Sequence, residues 1–191
     1  GENLYQDVLI DYRADTLGVK DIEDILLGNK SERLSTVLES GEEDNVLLYW
    51  TGHGVNKSFT WLGTGEKFTD VQMGETVRRM YENKKYMSML ICAEPCFSGS
   101  VIKAIEGIPL VLGITAADDN ESSYADNFSN ELGVWMCDRF TSNLMHIYER
   151  SPYKNLFDIY KELNTLTLGS HVQVYNSEMF YNVVVYFNNL F

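Results

Sequence analysis

Apolar residues in this chain gather into short unbroken runs, and helical periodicity fills the intervals between them. That alternation is expected of a parallel sheet with helices packed on its faces. Val46-Leu47-Leu48-Tyr49-Trp50 and Met87-Ser88-Met89-Leu90-Ile91 are two such runs, each closed by turn residues, and Leu110–Thr115 is a third. Between the first two, Val71–Lys84 sets Met73, Val77, Met80 and Tyr81 on one helical face, with Asp70 as the expected N-cap. Strand, helix, strand is a crossover unit, so the two strands should be parallel near neighbours. Phe59–Leu62 and Glu66–Thr69 flank Gly63-Thr64-Gly65 and read as a hairpin.

The flanking regions are read in the same way. Asp7–Tyr12 alternates weakly and predicts a strand. Val19–Leu27 predicts a helix with Val19, Ile22, Ile25 and Leu26 inward and Gly28 as its stop. Residues 31–40 predict a second short helix with Leu34, Val37 and Leu38 inward, followed by an acidic turn at 41–45. Phe97–Ile105 predicts a helix that begins directly at Cys96. Residues 116–129 are small, polar and rich in aspartate, which predicts a long and functional loop. Leu132, Met136, Phe140, Leu144 and Ile147 mark a helix, which would make Cys137 a buried small hydrophobe. Pro152 is expected at the first position of a further helix running to Leu163. His171–Tyr175 and Met179–Phe187 are late strand candidates. The sum is an α/β fold.

The length of 191 residues suits one domain, residues 1–191. No apolar stretch approaches the roughly 18 residues that span a membrane. No charged segment followed by an apolar stretch opens the chain, so a signal peptide is expected to be absent or already removed. A net charge of −13 argues against nucleic-acid binding, which needs clustered Lys and Arg. The basic doublets Arg78-Arg79 and Lys84-Lys85 read as a solvated end of one helix. The three cysteines, Cys92, Cys96 and Cys137, leave no fully paired disulfide framework, and no metal-ligand spacing suggests zinc.

Two tetrads carry the chemistry: Thr51-Gly52-His53-Gly54 follows the first apolar run, and Glu94-Pro95-Cys96-Phe97 follows the second. A His and a Cys then emerge at the carboxyl ends of neighbouring strands, where open α/β sheets bind ligands. A thiol beside an imidazole is a nucleophile with its base. The Gly54 and Cys96 backbone amides are candidate oxyanion donors, each typically worth about 2.7–4 kcal/mol. Cys92 lies inside its strand and faces the core in this reading. Trp50 reads as core, His146 as helix surface and His171 as structural.

On these segments the chain resembles the legumain and GPI-transamidase branch of the caspase-like cysteine peptidases. Tyr49-Trp50-Thr51-Gly52-His53-Gly54 resembles the catalytic histidine segment, and Thr-Gly-His-Gly is its transamidase form. Glu94-Pro95-Cys96-Phe97-Ser98-Gly99-Ser100 is similar to the legumain Glu-Ala-Cys-Glu-Ser-Gly-Ser. Glu121-Ser122-Ser123-Tyr124-Ala125 resembles a pocket-forming loop, Ser170-His171-Val172 a late legumain segment, and the 7–28 stretch a transamidase segment containing Asp-Tyr-Arg. The resemblance implies a caspase-like three-layer α/β/α sandwich with a mostly parallel sheet. It also implies a cysteine endopeptidase, possible self-processing, a thioester intermediate, a peptide or protein substrate, and neither cofactor nor metal. Cys96 would attack, His53 would move protons, and Gly54 with Cys96 would hold the oxyanion.

The chain departs from the family pattern in two places. Family members begin with a further strand and helix that carry a pocket arginine, so this chain is expected to be a truncated or processed piece whose partner is its own missing N-terminal segment. Legumains keep an aspartate in Leu-Gly-Asp-Trp, where this chain has Leu132-Gly133-Val134-Trp135. Val134 therefore removes a carboxylate from the expected asparagine pocket, and Glu94, Ser122 and Ser123 remain as its polar walls. The alternatives are a transamidase, which shares Gly-Val there, and a non-catalytic caspase-like binding module. A secretory, lysosomal or periplasmic location is the expectation from the family.

Overall fold

A computed structural model describes residues 8–182. Its centre is a four-stranded sheet in the order β1 (Asn45–Trp50), β5 (Ser88–Ala93), β6 (Val111–Thr115), β9 (Gln173–Tyr175). β1, β5 and β6 are parallel, and β9 runs antiparallel beside β6. Strand alternation decides the two layers, because successive side chains point to opposite faces. Val46, Trp50, Met89, Ile91, Ala93 and Val111 face one core, which is completed by α1 (Val19–Leu27), α2 (Asp70–Glu82) and α3 (Ser98–Ile102). Leu90, Cys92, Leu112 and Ile114 face the other, which is closed by α4 (Arg139–Arg150) and α5 (Leu156–Leu166). The result is the expected three-layer α/β/α sandwich. β5 and β6 are buried throughout, whereas β1, at the end of the sheet order, is half-buried.

A second, three-stranded sheet of β2 (His53–Val55), β3 (Ser58–Thr60) and β4 (Lys67–Thr69) contains the expected hairpin. It is seated by Phe59 and Phe68, both fully buried, whose rings lie 5.2 and 4.9 Å from that of Trp50. Trp50 is core, as expected, and His146 is exposed on α4. α1 stops where Gly28 enters the left-handed region at φ 79°, a conformation that costs glycine little.

Local polar chemistry overrode several sequence-based expectations. No strand forms over 8–12, and Asp7 lies outside the described residues; Val8, Leu9 and Ile10 are exposed, and the Tyr12 hydroxyl instead bridges the backbone N–H and C=O of Thr36. That bridge, with Ser31 Oγ accepting from Leu34 N and Ser40 Oγ donating to the Lys85 carbonyl, holds 31–40 irregular rather than helical, and only Leu34 is buried. α2 is capped by Thr69, not Asp70, through a reciprocal box with Gln72. The expected loop over 116–129 ends in a hairpin, β7 (Ala125–Ser129) with β8 (Val134–Asp138), so the helix marked from Leu132 begins only at Arg139. Leu132, Val134, Trp135 and Met136 are exposed, which shows that their helical spacing was incidental. Residues 151–154 form a turn, and Asn155, not Pro152, opens α5 by accepting from Asp158 N. Residues 179–182 are helical (α6, Met179–Asn182) rather than strand, and the remainder of that candidate lies outside the described residues. Among the described residues no helix is long and apolar enough to cross a membrane.

Asn176 ties the far end of the sheet together. Its side-chain amide donates to the carbonyls of Ile105, Ile108 and Val111 at 3.1–3.2 Å and accepts from Gly107 N at 2.9 Å. The residue is buried and left-handed, φ 58°, which asparagine tolerates better than most. Replacing it with alanine strands these buried groups, so Asn176→Ala should lose roughly 2–4 kcal/mol in urea unfolding. A loss below about 0.5 kcal/mol, the range of an ordinary surface change, would contradict this role.

Candidate active site

β1 and β5 end side by side, with Trp50 opposite Ala93, and the pairing extends through Glu94 N donating to the Trp50 carbonyl at 3.1 Å. Beyond this point the chains diverge into the two tetrads. After β1, Gly52 turns the backbone at φ 126° and His53 opens β2. After β5, Pro95 and Cys96 form a tight turn closed by Ser98 N to the Pro95 carbonyl at 3.1 Å. Phe97 sits in the left-handed region at φ 57° and donates its N–H to the Glu121 carbonyl at 2.8 Å, which pins this turn against the 116–124 loop. Buried Ser98 adds bonds to the N–H and C=O of Ala117. α3 thus starts at Ser98, two residues past the cysteine, and not at Cys96 itself.

The tetrads touch through backbone. A Cβ on Gly54 would lie 2.1 Å from the Cys96 carbonyl oxygen and 2.9 Å from Pro95 Cβ, so no side chain fits there. Thr51, Gly52, His53, Glu94, Cys96, Ser123 and Asp138 line one open cleft of about 410 Å³ whose far wall is the β7–β8 hairpin. A hollow of about 470 Å³ near Lys57, Asp70 and Ser100 contains neither His53 nor Cys96. Cys96 Sγ lies 3.8 Å from Ser123 Oγ and 3.9 Å from the Ser123 carbonyl oxygen.

Of the expected pocket walls, Glu94 and Ser123 line this cleft, and Ser122 and Val134 do not. Val134 is 50% exposed on the hairpin. Glu94 is buried at the cleft floor, where its two oxygens accept the hydroxyls of Thr51 and Thr141. The Tyr49 hydroxyl joins Thr141 at 2.6 Å, and burial pushes that phenol far above its ordinary range. Cys137 lies in β8 at the cleft wall, half-buried, not in a helix. Cys92 faces the α4–α5 core, and burial pushes its thiol up to about 12, so it stays protonated and inert.

Sequence reasoning missed Asp138. It is the N-cap of α4, accepting from Phe140 N at 2.8 Å, and its carboxyl also takes the Ser123 hydroxyl. Desolvation and the nearby Glu94 charge push its carboxyl up to about 6, against the capping bond, Ser123 and Arg139. Asp followed by an apolar helical period is a start signal, and starting that helix at Leu132 hid it. Arg139 turns away to the Leu168 carbonyl and the Tyr124 ring.

Asp118, Glu121 and His171 present ligand atoms all within 4.8 Å of one another. Their partners are already internal: Glu121 accepts from the Asp118 and His171 amides and meets His171 Nδ1 at 2.9 Å. That contact raises the imidazole above its ordinary range. His171 thus anchors the loop behind Cys96, in keeping with a structural role.

Two outcomes follow from this geometry. Iodoacetamide at pH 7.5 should modify Cys96 and spare Cys92 in the native protein, with both modified in urea, as read by peptide mass spectrometry. Asp138 keeps its proton in the native state over a range where the unfolded chain has lost it, so stability falls as pH rises from the ordinary carboxylate range to about 6. Solvent screening at this half-open site reduces the effect to about 1 kcal/mol. Asp138→Asn, which preserves the cap, should therefore raise Tm by about 2–4 °C at pH 7.5 and by almost nothing at pH 4.

A sequence profile of the Peptidase C13 family matches residues 1–187. A putative GPI-anchor transamidase of Caenorhabditis elegans is 34% identical over 74% of this chain and 44% of its own length. Bos taurus legumain is 30% identical over 93% of the chain and 42% of its own length. The vacuolar-processing enzyme delta-isozyme of Arabidopsis thaliana is 33% identical over 65% of the chain and 27% of its own length. The chain thus spans less than half the length of these relatives. A Geobacter sulfurreducens protein of known crystal structure has the same fold, with a TM-score of 0.53 at 15% identity over 82% of this chain and 71% of that one. With both tetrads meeting in one cleft and the family profile running through them, the chain belongs to the Peptidase C13 family.

Proposed function

We propose that this protein is a cysteine endopeptidase working through Cys96 and His53. The observation that carries the reading is the shared cleft, in which the histidine and cysteine tetrads pack backbone to backbone through Gly54. In the proposed sequence, His53 takes the Cys96 proton, and the thiolate adds to the scissile carbonyl carbon. The Gly54 and Cys96 amides receive the oxyanion. His53 then gives its proton to the leaving amine, the C–N bond breaks, and an acyl thioester remains on Cys96. Water, deprotonated by His53, releases the acid and restores the thiol.

Two features support the roles of the remaining residues. Ser123, within contact of the thiol, orients the sulfur, and Glu94, held by Thr51 and Thr141, gives the cleft a fixed negative floor. The relatives named legumain and vacuolar-processing enzyme favour hydrolysis of peptides and a compartment outside the cytoplasm. The relative named as a putative GPI-anchor transamidase favours a second reading, in which an amine replaces water in resolving the thioester.

Cys96→Ala should abolish cysteine-dependent cleavage of a mixed peptide library, and His53→Ala should lower kcat/KM by about 10²–10⁴-fold, the span of a lost general base. Cleavage that persists in Cys96→Ala would overturn the assignment. Hydroxylamine added during turnover separates the two resolutions: a hydroxamate product accompanies transfer, and acid alone accompanies hydrolysis.

A further inference from the structure

We infer that Ser100 is a positioning residue of the active site: its hydroxyl ties the hairpin that carries His53 to the turn that carries Cys96, and so sets how the imidazole meets the thiol. This rests on the peptidase reading above. Ser100 closes the segment that begins at Glu94, yet it is not among the described lining residues of the cleft. It lies instead on the hollow beside Lys57 and Asp70. It therefore acts through other residues and not by touching what the cleft holds.

The backbone next to both tetrads is strained, and Ser100 meets the strain at both places. Lys57, in the turn between β2 and β3, has φ 62°, and Phe97, directly after Cys96, has φ 57°. Non-glycine residues keep such conformations only where their surroundings over-determine them. The Ser100 hydroxyl accepts the Lys57 N–H at 2.7 Å and donates to the Phe97 carbonyl at 2.7 Å. Ser100 N donates to the same carbonyl at 2.9 Å. Lys57 is clamped from its other side by Asp70 N, which donates to its carbonyl at 3.0 Å. One hydroxyl thus bridges the two left-handed residues that flank the catalytic pair.

Both ends of this bridge are stiff, so it can transmit position. The pairs His53–Thr60, Gly54–Phe59 and Val55–Ser58 make β2 and β3 one hairpin with Lys57 at its tip. At its middle, Gly54 rests against the Cys96 carbonyl and Phe59 is fully buried beside Trp50. That pair is a pivot, with His53 on one side and Lys57 on the other. The Ser100 bond at the tip fixes the tilt about the pivot and hence the place of His53. On the other side, α3 is held by buried Val101 and Ile102 and by the bonds of Ser98 to Ala117. Small displacements matter at such a site, where a shift of about 1 Å can cost about 100-fold in rate.

The test reads the rate at which iodoacetamide alkylates Cys96 in the full chain at pH 7.5, by peptide mass spectrometry, because that rate follows the thiolate His53 maintains. Ser100→Ala should lower it about tenfold. Thr and Val match in shape and differ in the hydroxyl, and Thr can keep the bond to the carbonyl three residues back. Ser100→Thr should therefore stay within threefold of the parent, and Ser100→Val should fall with Ser100→Ala. In a His53→Ala background, Ser100→Ala should change the rate less than twofold, since there is no imidazole left to place. With a library peptide cleaved in a Cys96-dependent way, Ser100→Ala should lower kcat about tenfold and leave KM within twofold. Equal rates for Ser100→Thr and Ser100→Val, or a Ser100→Ala loss that persists in His53→Ala, would overturn the inference and leave the peptidase reading intact. A Cys96 rate that His53→Ala does not lower would bring down both.

Discussion

The parallel pairing of β1 with β5 is the constraint on which the rest of this molecule depends. Six consecutive residue pairs, from Asn45 with Ser88 to Trp50 with Ala93, bring two distant stretches of chain to a common end. Because the strands are parallel and in step, both finish at the same edge and both release their next residues into the same space. A slip of one residue would turn Met89, Ile91 and Ala93 out of one core and into the other. The hydrophobic pattern thus sets where His53 and Cys96 emerge, before either residue's own chemistry matters.

Much of this was legible in the sequence because it is governed by burial. The runs at 46–50, 87–91 and 110–115, the α1 and α2 stripes and the order of the crossovers are consequences of a doubly covered sheet, and they appear where expected. What was misread is governed by polar side chains acting locally. A tyrosine hydroxyl bonded to Thr36 prevented one helix, Thr69 and Gln72 moved the start of another, and an exposed hairpin imitated a helical period through Leu132 and Met136. Exposed apolar residues carry no face to read, so periodicity fails on them.

The site divides along the same line. His53, Cys96, Glu94 and Ser123 could be singled out because motifs surround them, and all meet in the cleft. Val134 was singled out by position in a motif, yet position in a motif is not position in space, and the hairpin turns it outward. Asp138 was overlooked because its role depends on Glu94 and Ser123, residues 44 and 15 positions away in sequence but close in the fold. Electrostatic character of this kind is a property of the assembled cleft and of no single segment.

The Asn176 knot bears on the order in which the chain becomes a protein. Its four bonds span 65 to 71 residues, and they satisfy the turn between α3 and β6 that lies directly behind the sheet. Contacts so far apart in sequence are closed late, after loop entropy has been overcome by nearer ones. During synthesis, β1, β5 and β6 with their crossover helices emerge first, while the polar groups of that turn wait for a residue near the end of the described chain. The end of the sheet that carries His53 and Cys96 can therefore assemble before the opposite end is sealed.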